Sequence, residues 1–204
     1  MTHTLILASG NAHKAAELTE LFRGLDLKVV TMKQAGYDLE IIENGRTFEE
    51  NALIKARAVY EASGRTADVL ADDSGLEIRA LGGEPGIRSA RFLGEETDYP
   101  TKIGVLQEVL GQLSDEERAA DFRCVLAAVL GGREVLAEGR VDGRIALASA
   151  GESGFGYDPC FYLPELGCTM AQLPPKQKNA LSHRGRAAAA LRPVLKAYLE
   201  QKNT

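Results

Sequence analysis

Apolar residues recur along this chain with two periods, one suited to strands and one to helices. Short apolar runs of strand length fall at residues 4–8, 27–30, 69–71, 122–130, 134–141 and 160–163. Elsewhere apolar positions return every three or four residues. Ala15, Leu18, Leu21 and Phe22 predict a helix that follows an Asn11 N-cap and stops at Gly24. Residues 47–63 predict a second helix, with Thr47 and Glu50 as a capping box. Its apolar stripe is Phe48, Ala52, Ala56, Val59 and Tyr60, and Gly64 ends it. Residues 98–110 predict a third, which turns Ile103, Leu106, Val109 and Leu110 inward ahead of Gly111. A fourth starts from Ser182 as N-cap and buries Ala187, Leu191, Val194, Leu195 and Tyr198, with Pro193 expected to kink or restart it. Residues 76–81 alternate apolar and polar, as a half-buried element does.

Gly131-Gly132 joins the fourth and fifth runs as a hairpin, so the sheet holds an antiparallel pair and is not a purely parallel doubly wound one. A length of 204 residues fits one domain with two lobes and a core that needs no staples. With 45% hydrophobic and 26% charged residues the chain is globular rather than disordered. A net charge of −5 argues against nonspecific nucleic-acid binding, which demands clustered positive charge. No apolar run reaches the length of a membrane span, and the first residues lack the basic and apolar regions of a signal peptide. Cys124, Cys160 and Cys168 are odd in number and unpatterned. They read as reduced thiols of a cytoplasmic protein, and no Cys/His spacing points to zinc.

Candidate chemistry sits where these runs end. After 69–71 come Asp72 and Asp73, then the turn pair Ser74-Gly75. Adjacent side chains on extended backbone face opposite ways, so one aspartate can serve a site while the other braces the turn. Hard divalent cations take such oxygens, and an Asx-type turn is the structural alternative. The turn Ser9-Gly10-Asn11 places backbone N–H groups and a positive dipole end where phosphate can bind, with Lys14 in reach. Lys55 lies beside the stripe of the second helix, where it either snorkels or meets an anion. Glu43 precedes a turn. Arg88 and Arg91 either hold phosphate or pair with carboxylates. The loop 151–159, with Phe155, Gly156, Tyr157 and Asp158, combines glycines for close approach with aromatic faces for stacking. His183 and Arg184 crowd a helix N-terminus, a placement that the dipole does not favour and that an anionic or carbonyl-bearing ligand would explain.

Four blocks, in order, resemble the inosine triphosphatase/Ham1-type family of nucleoside triphosphate pyrophosphatases, and the match spans roughly residues 5–191. They are Ser9-Gly10-Asn11-Ala12-His13-Lys14; Thr47-Phe48-Glu49-Glu50-Asn51 with Lys55; Ala71 to Leu76 continuing through Gly82-Gly83, Pro85-Gly86-Ile87 and Ser89-Ala90-Arg91; and Gly154 to Pro159 with Ser182-His183-Arg184-Gly185. The resemblance implies a single α/β domain over 1–204 with a long twisted mixed sheet and two lobes flanking a central substrate cleft. It implies Mg²⁺-dependent cleavage of ITP, dITP or XTP between the α and β phosphates, giving monophosphate and pyrophosphate, by a homodimer that binds neither nucleic acid nor membrane. Residues 9–14 would hold the triphosphate, and Glu43 and Asp73 the metal. Asp73 would also be the general base. Asp72 would be a second carboxylate near the metal or a brace, Lys55 would stabilise phosphate charge, and Ser74 would touch substrate. Phe155 would stack on the purine within a loop running to Asp158, and Lys178, His183 and Arg184 would complete the base pocket. Cys168 and Gln172 stand where such proteins often have lysine and glutamate.

Overall fold

Strands β1 (His3–Leu7), β2 (Leu27–Thr31), β3 (Asp68–Ile78), β4 (Ala119–Leu130), β5 (Arg133–Ile145), β6 (Phe161–Leu163) and β7 (Cys168–Thr169) form one open mixed sheet in the order β2-β1-β3-β4-β5-β6-β7. The computed structural model describes residues 2–202. β1 runs parallel to both β2 and β3, while β5, β6 and β7 pair antiparallel. Gly131 and Gly132 link β4 to β5 with φ of 55° and 82°, the left-handed pair that a two-residue hairpin needs. The expected mixed α/β sheet is therefore present, with its parallel part at one end.

The chain divides into two compact units. The first comprises Met1–Asp73, Cys124–Gly139 and Arg184–Thr204. It contains helices α1 (Ala12–Leu21) and α2 (Phe48–Ala62), and its core gathers Leu5, Leu7, Leu18, Phe22, Leu70, Leu126, Leu191 and Leu195. Asp68 ties this unit's far end together. It accepts from the Gly131 N–H at 2.7 Å, from the Tyr198 hydroxyl and from Lys202, and lies 2.6 Å from His3 Nε2. The second unit comprises Ser74–Arg123 and Arg140–His183. It contains α3 (Tyr99–Leu110) and a short α4 (Pro175–Leu181), around a core of Leu76, Ile78, Ile103, Leu106, Phe122, Ile145 and Phe161.

Several elements differ from the sequence expectation. β3 does not end at a Ser74-Gly75 turn but runs through Asp72 to Gly75 as strand. Gly75 is there for close approach. A Cβ on it would collide with the Gly86 carbonyl oxygen and sit 2.7 Å from Ser89 Oγ, the hydroxyl that accepts from Leu76 N–H. The capping box of α2 is only half made, because Thr47 Oγ1 accepts from Glu50 N–H while Glu50 reaches back to Arg46 N–H instead. α4 falls where the sequence pattern predicts no element, with Pro175 at the first helical position, where a missing N–H costs nothing. The last helix, α5 (His183–Lys202), continues through Pro193. Pro193 lies on its exposed side, so the carbonyl it leaves unbonded, that of exposed Ala189, is open to water. Val109 and Val194 also face outward, against their expected burial. The short strand β6 begins at Phe161 because Asp158–Cys160 forms a 3₁₀ turn.

Candidate active site

Asp72 and Asp73 lie inside β3, so the pleat sends their side chains to opposite faces, and each meets different cations. On one face Asp72 accepts from Lys14 Nζ, from Arg184 Nε at 2.7 Å and from the Cys124 thiol at 3.4 Å. Arg184 also donates to Glu17 at 2.6 Å. Two carboxylates and two cations thus balance in a site where Asp72 and Arg184 are almost wholly buried. Burial alone would raise the Asp72 pKa, but Arg184 and Lys14 together hold it well below the usual carboxylate range. The Cys124 thiol is raised well above its ordinary value, first by burial and then by Asp72, so it is an inert thiol in the core.

The other face is not balanced. Lys55 Nζ donates to Asp73 Oδ1 at 2.6 Å and to Glu43 Oε2 at 2.9 Å, so two carboxylates share one lysine. Lys55 does not snorkel beside the stripe of α2. It is part of that helix's buried face with Phe48, Asn51, Ala52, Ala56 and Val59, and only 7% exposed. Burial raises the Asp73 pKa above its usual value, assisted by the Glu43 charge and opposed by Lys55. Glu43 moves the other way: burial would raise it, but Lys55 and its neighbours bring it down. Asp73 Oδ2 is buried and has no hydrogen-bond partner. An orphaned carboxylate oxygen next to a surplus negative charge fits a divalent cation, which readily takes two carboxylates and completes its shell with phosphate and water. Among the described residues no three His, Cys, Asp or Glu side chains gather as a ready metal cage.

The turn into α1 is partly committed to the helix itself. Asn11 Oδ1 accepts from the N–H groups of His13 and Lys14, and Ser9 Oγ accepts from Asn11 N–H. Ser9, Gly10, Asn11, Ala12, His13 and Lys14 nonetheless stay together in one exposed or half-exposed turn, whose Lys14 reaches Asp72.

In the second unit, Gly154 adopts a φ of +81° and packs so closely on Asp158 that any side chain would collide with its carboxylate. Asp158 Oδ2 accepts from Phe155 N–H at 2.9 Å and from Lys178 Nζ at 2.7 Å. Lys178 lies 4.9 Å from the centre of the Phe155 ring, and that ring is half-exposed. Asp158 is therefore the anchor that shapes the loop. Tyr157 is an anchor too, buried edge-on against Tyr99 and donating to the Ser89 carbonyl at 2.8 Å. His183 stacks on Phe122 with ring centres 4.6 Å apart, and Ser74 is half-buried on β3. Arg88 and Arg91 make no ion pair among the described residues.

The expected residues thus fall into three groups. Asp73, Glu43 and Lys55 meet on one face of β3; Asp72, Lys14 and Arg184 meet on the other; Phe155, Gly156, Tyr157 and Asp158 form a loop of the second unit that Lys178 of α4 joins through Asp158. Asp72 is a brace and not a second carboxylate beside Asp73, because its oxygens are taken by Lys14 and Arg184. Glu17, Cys124, Asn51 and Ser89 were missed. Glu17 reads as a solvated helix acid, and only its one-turn spacing from Lys14 hinted at a shared face.

The profile of the Ham1 family matches residues 5–194. A dITP/XTP pyrophosphatase of Clostridium perfringens is 44% identical over 200 residues, covering 96% of this chain and 98% of that protein. One from Nitratidesulfovibrio vulgaris is 46% identical over 203 residues, covering 96% and 97%. Among solved structures, a HAM1 protein from Coxiella burnetii superposes with a TM-score of 0.84 at 40% identity, covering 96% of this chain and 99% of that one. The Ham1 protein of Staphylococcus aureus gives 0.82 at 40% identity, covering 98% and 99%.

Proposed function

The chain belongs to the Ham1 family, and from that premise we propose that it is a hydrolase that converts deaminated purine nucleoside triphosphates (ITP, dITP and XTP) to monophosphate and pyrophosphate, clearing them from the nucleotide pool. The observation that carries the reading is the unbalanced face of β3, where Asp73 and Glu43 share Lys55 and Asp73 keeps a buried oxygen without a partner.

In this reading Glu43 and Asp73 hold Mg²⁺, which when bound polarises a phosphate oxygen and neutralises charge on the triphosphate. Asp73 takes the proton of the attacking water. In the metal-free protein burial raises its pKa above that of an ordinary carboxylate, the direction a general base needs. Lys55, held between the two acids, points its ammonium at the charge that develops during attack. Lys14 and the turn at residues 9–13 bind the triphosphate, with Asp72, itself held by Arg184, fixing Lys14 from behind. Ser74 touches the substrate beside Asp73.

Phe155 offers its half-exposed ring to the purine, and Asp158 and Gly156 keep the loop in shape beneath it. Lys178 is a pure donor, and His183 has a ring N–H to donate in either tautomer. Donors meet a 6-oxo group well and a 6-amino group badly, since adenine would leave them facing other donors. The same reading makes the protein a cytoplasmic homodimer, and its three cysteines are free.

The test is pyrophosphate release, with Mg²⁺, from ITP, dITP, XTP, GTP, ATP and pyrimidine triphosphates. Fast release from the first three and little from the others is the expected result. Asp73→Asn should lower kcat by about three orders of magnitude or more while nucleotide still binds. Turnover that survives this change would remove Asp73 from its role, and a flat panel would remove the base-recognition argument.

A further inference from the structure

Asn51 is completely buried on the same face of α2 as Lys55, one helical turn ahead of it. Its Oδ1 accepts from Gly45 N–H at 2.8 Å. Gly45 lies two residues after Glu43, in a stretch with no secondary structure of its own. The approach is close: a Cβ on Gly45 would lie 2.6 Å from Asn51 Oδ1 and 2.9 Å from Asn51 N. The other half of the amide, Nδ2, is buried without a hydrogen-bond partner.

From this arrangement we propose that Asn51 is a positioning residue for the divalent cation: its amide clamps the backbone at Gly45 and so aims the Glu43 carboxylate at Lys55 and Asp73. The inference rests on the reading of Glu43 and Asp73 as metal ligands. Loops fluctuate unless their backbone is tied down, and a metal site loosened by even a small displacement of one ligand loses affinity. Glu43 is held through its side chain by Lys55 and, two residues on, through the backbone by the clamp. An orphaned amide N–H is a costly thing to bury for packing alone, which an apolar residue of similar size does better. An aspartate would keep the acceptor, but its second oxygen would take the place of the orphaned N–H as a buried unpartnered atom, and it would bring a further negative charge into a unit where two carboxylates already share one lysine. A neutral amide is the side chain that accepts from Gly45 without disturbing that balance.

The test is Mn²⁺ affinity, read by electron paramagnetic resonance and independent of turnover, in the native protein, Glu43→Gln, Asn51→Leu and the Asn51→Leu/Glu43→Gln double variant. Asn51→Leu is expected to weaken binding about 10-fold or more, the range for residues that orient ligands. The double variant should bind no more weakly than Glu43→Gln alone, because a clamp that acts through Glu43 has nothing to act on once Glu43 is gone. Unchanged affinity in Asn51→Leu, or losses that add in full, would overturn the proposal. If Asn51→Leu does not fold, Gly45→Ala probes the clamp from its other side with the same two expectations. If Glu43→Gln itself binds Mn²⁺ as the native protein does, the metal reading of Glu43 falls first and takes the clamp with it. A Glu43-dependent affinity with an indifferent Asn51 and Gly45 defeats the clamp alone.

Discussion

Asp72 and Asp73 are chemically identical neighbours whose surroundings drive them apart. The alternation of a strand foretold that the two would face opposite ways. It could not say which cations each would meet, because Lys14, Glu17 and Arg184 are brought to Asp72 from distant parts of the chain. Replacing Asp72 by Asn would leave Arg184 buried with less than its full countercharge. Asp72→Asn is therefore expected to cost about 3–5 kcal/mol at pH 7, measured by urea unfolding. The pH dependence follows from the depressed pKa of Asp72. An unfolded chain protonates this carboxyl near ~3.9, above the folded value, so it binds more protons in that window and stability rises with pH. The Asp72 contribution is fully present above the unfolded value and is lost as pH falls through the folded one. The gap between native and variant should accordingly be constant from neutral pH down to about 5 and narrow below it. A gap that widens on acidification would contradict the brace.

At the scale of elements, β3 organises the molecule, and its length was not legible. Asp-Asp-Ser-Gly is good turn chemistry, and locally nothing separates it from a strand that continues. The deciding partner lies a dozen residues on, where Ser89 Oγ bonds Leu76 N–H and the Gly86 carbonyl closes over Gly75. Gly75→Ala should force that turn away from the strand. A loss of about 3 kcal/mol or more is expected in urea unfolding, since the obstacle is backbone rather than a movable side chain. A loss under about 0.5 kcal/mol would show that the Gly86–Arg91 turn shifts freely. Local reasoning also passed over α4, a seven-residue helix too short to show an apolar period, whose Pro175 occupies a first-turn position that tolerates it. By contrast α1, α2 and α3 were readable almost to the residue, because Asn11, Thr47 and Asp98 cap them with their own side chains. Lys55 was left between snorkelling and meeting an anion for a related reason. Periodicity put it on the right face of α2, but a lysine on an apolar face can do either until its partners Asp73 and Glu43 are known.

At the scale of the whole molecule, each unit has a core of its own, Leu5 to Leu195 in one and Leu76 to Leu173 in the other, which by itself favours independent unfolding. The chain path favours the opposite. It passes from one unit to the other four times: between Asp73 and Ser74, between Arg123 and Cys124 and between Gly139 and Arg140, each within a single strand, and between His183 and Arg184 at the start of α5. Residues of β3, β4 and β5 thus belong to both units, and neither core can melt without fraying strands that the other needs. We propose that residues 1–204 fold as one domain, and that unfolding is a single transition. Hydrogen exchange followed by mass spectrometry would check this. Amides at Leu70 and Leu126 in the first unit should open with the same free energy as those at Leu76 and Phe122 in the second, and with the same dependence on urea. Two plateaus of protection divided at Asp73 and Cys124 would instead mark two foldons, and residues 1–204 would then have to be described as two domains that share strands.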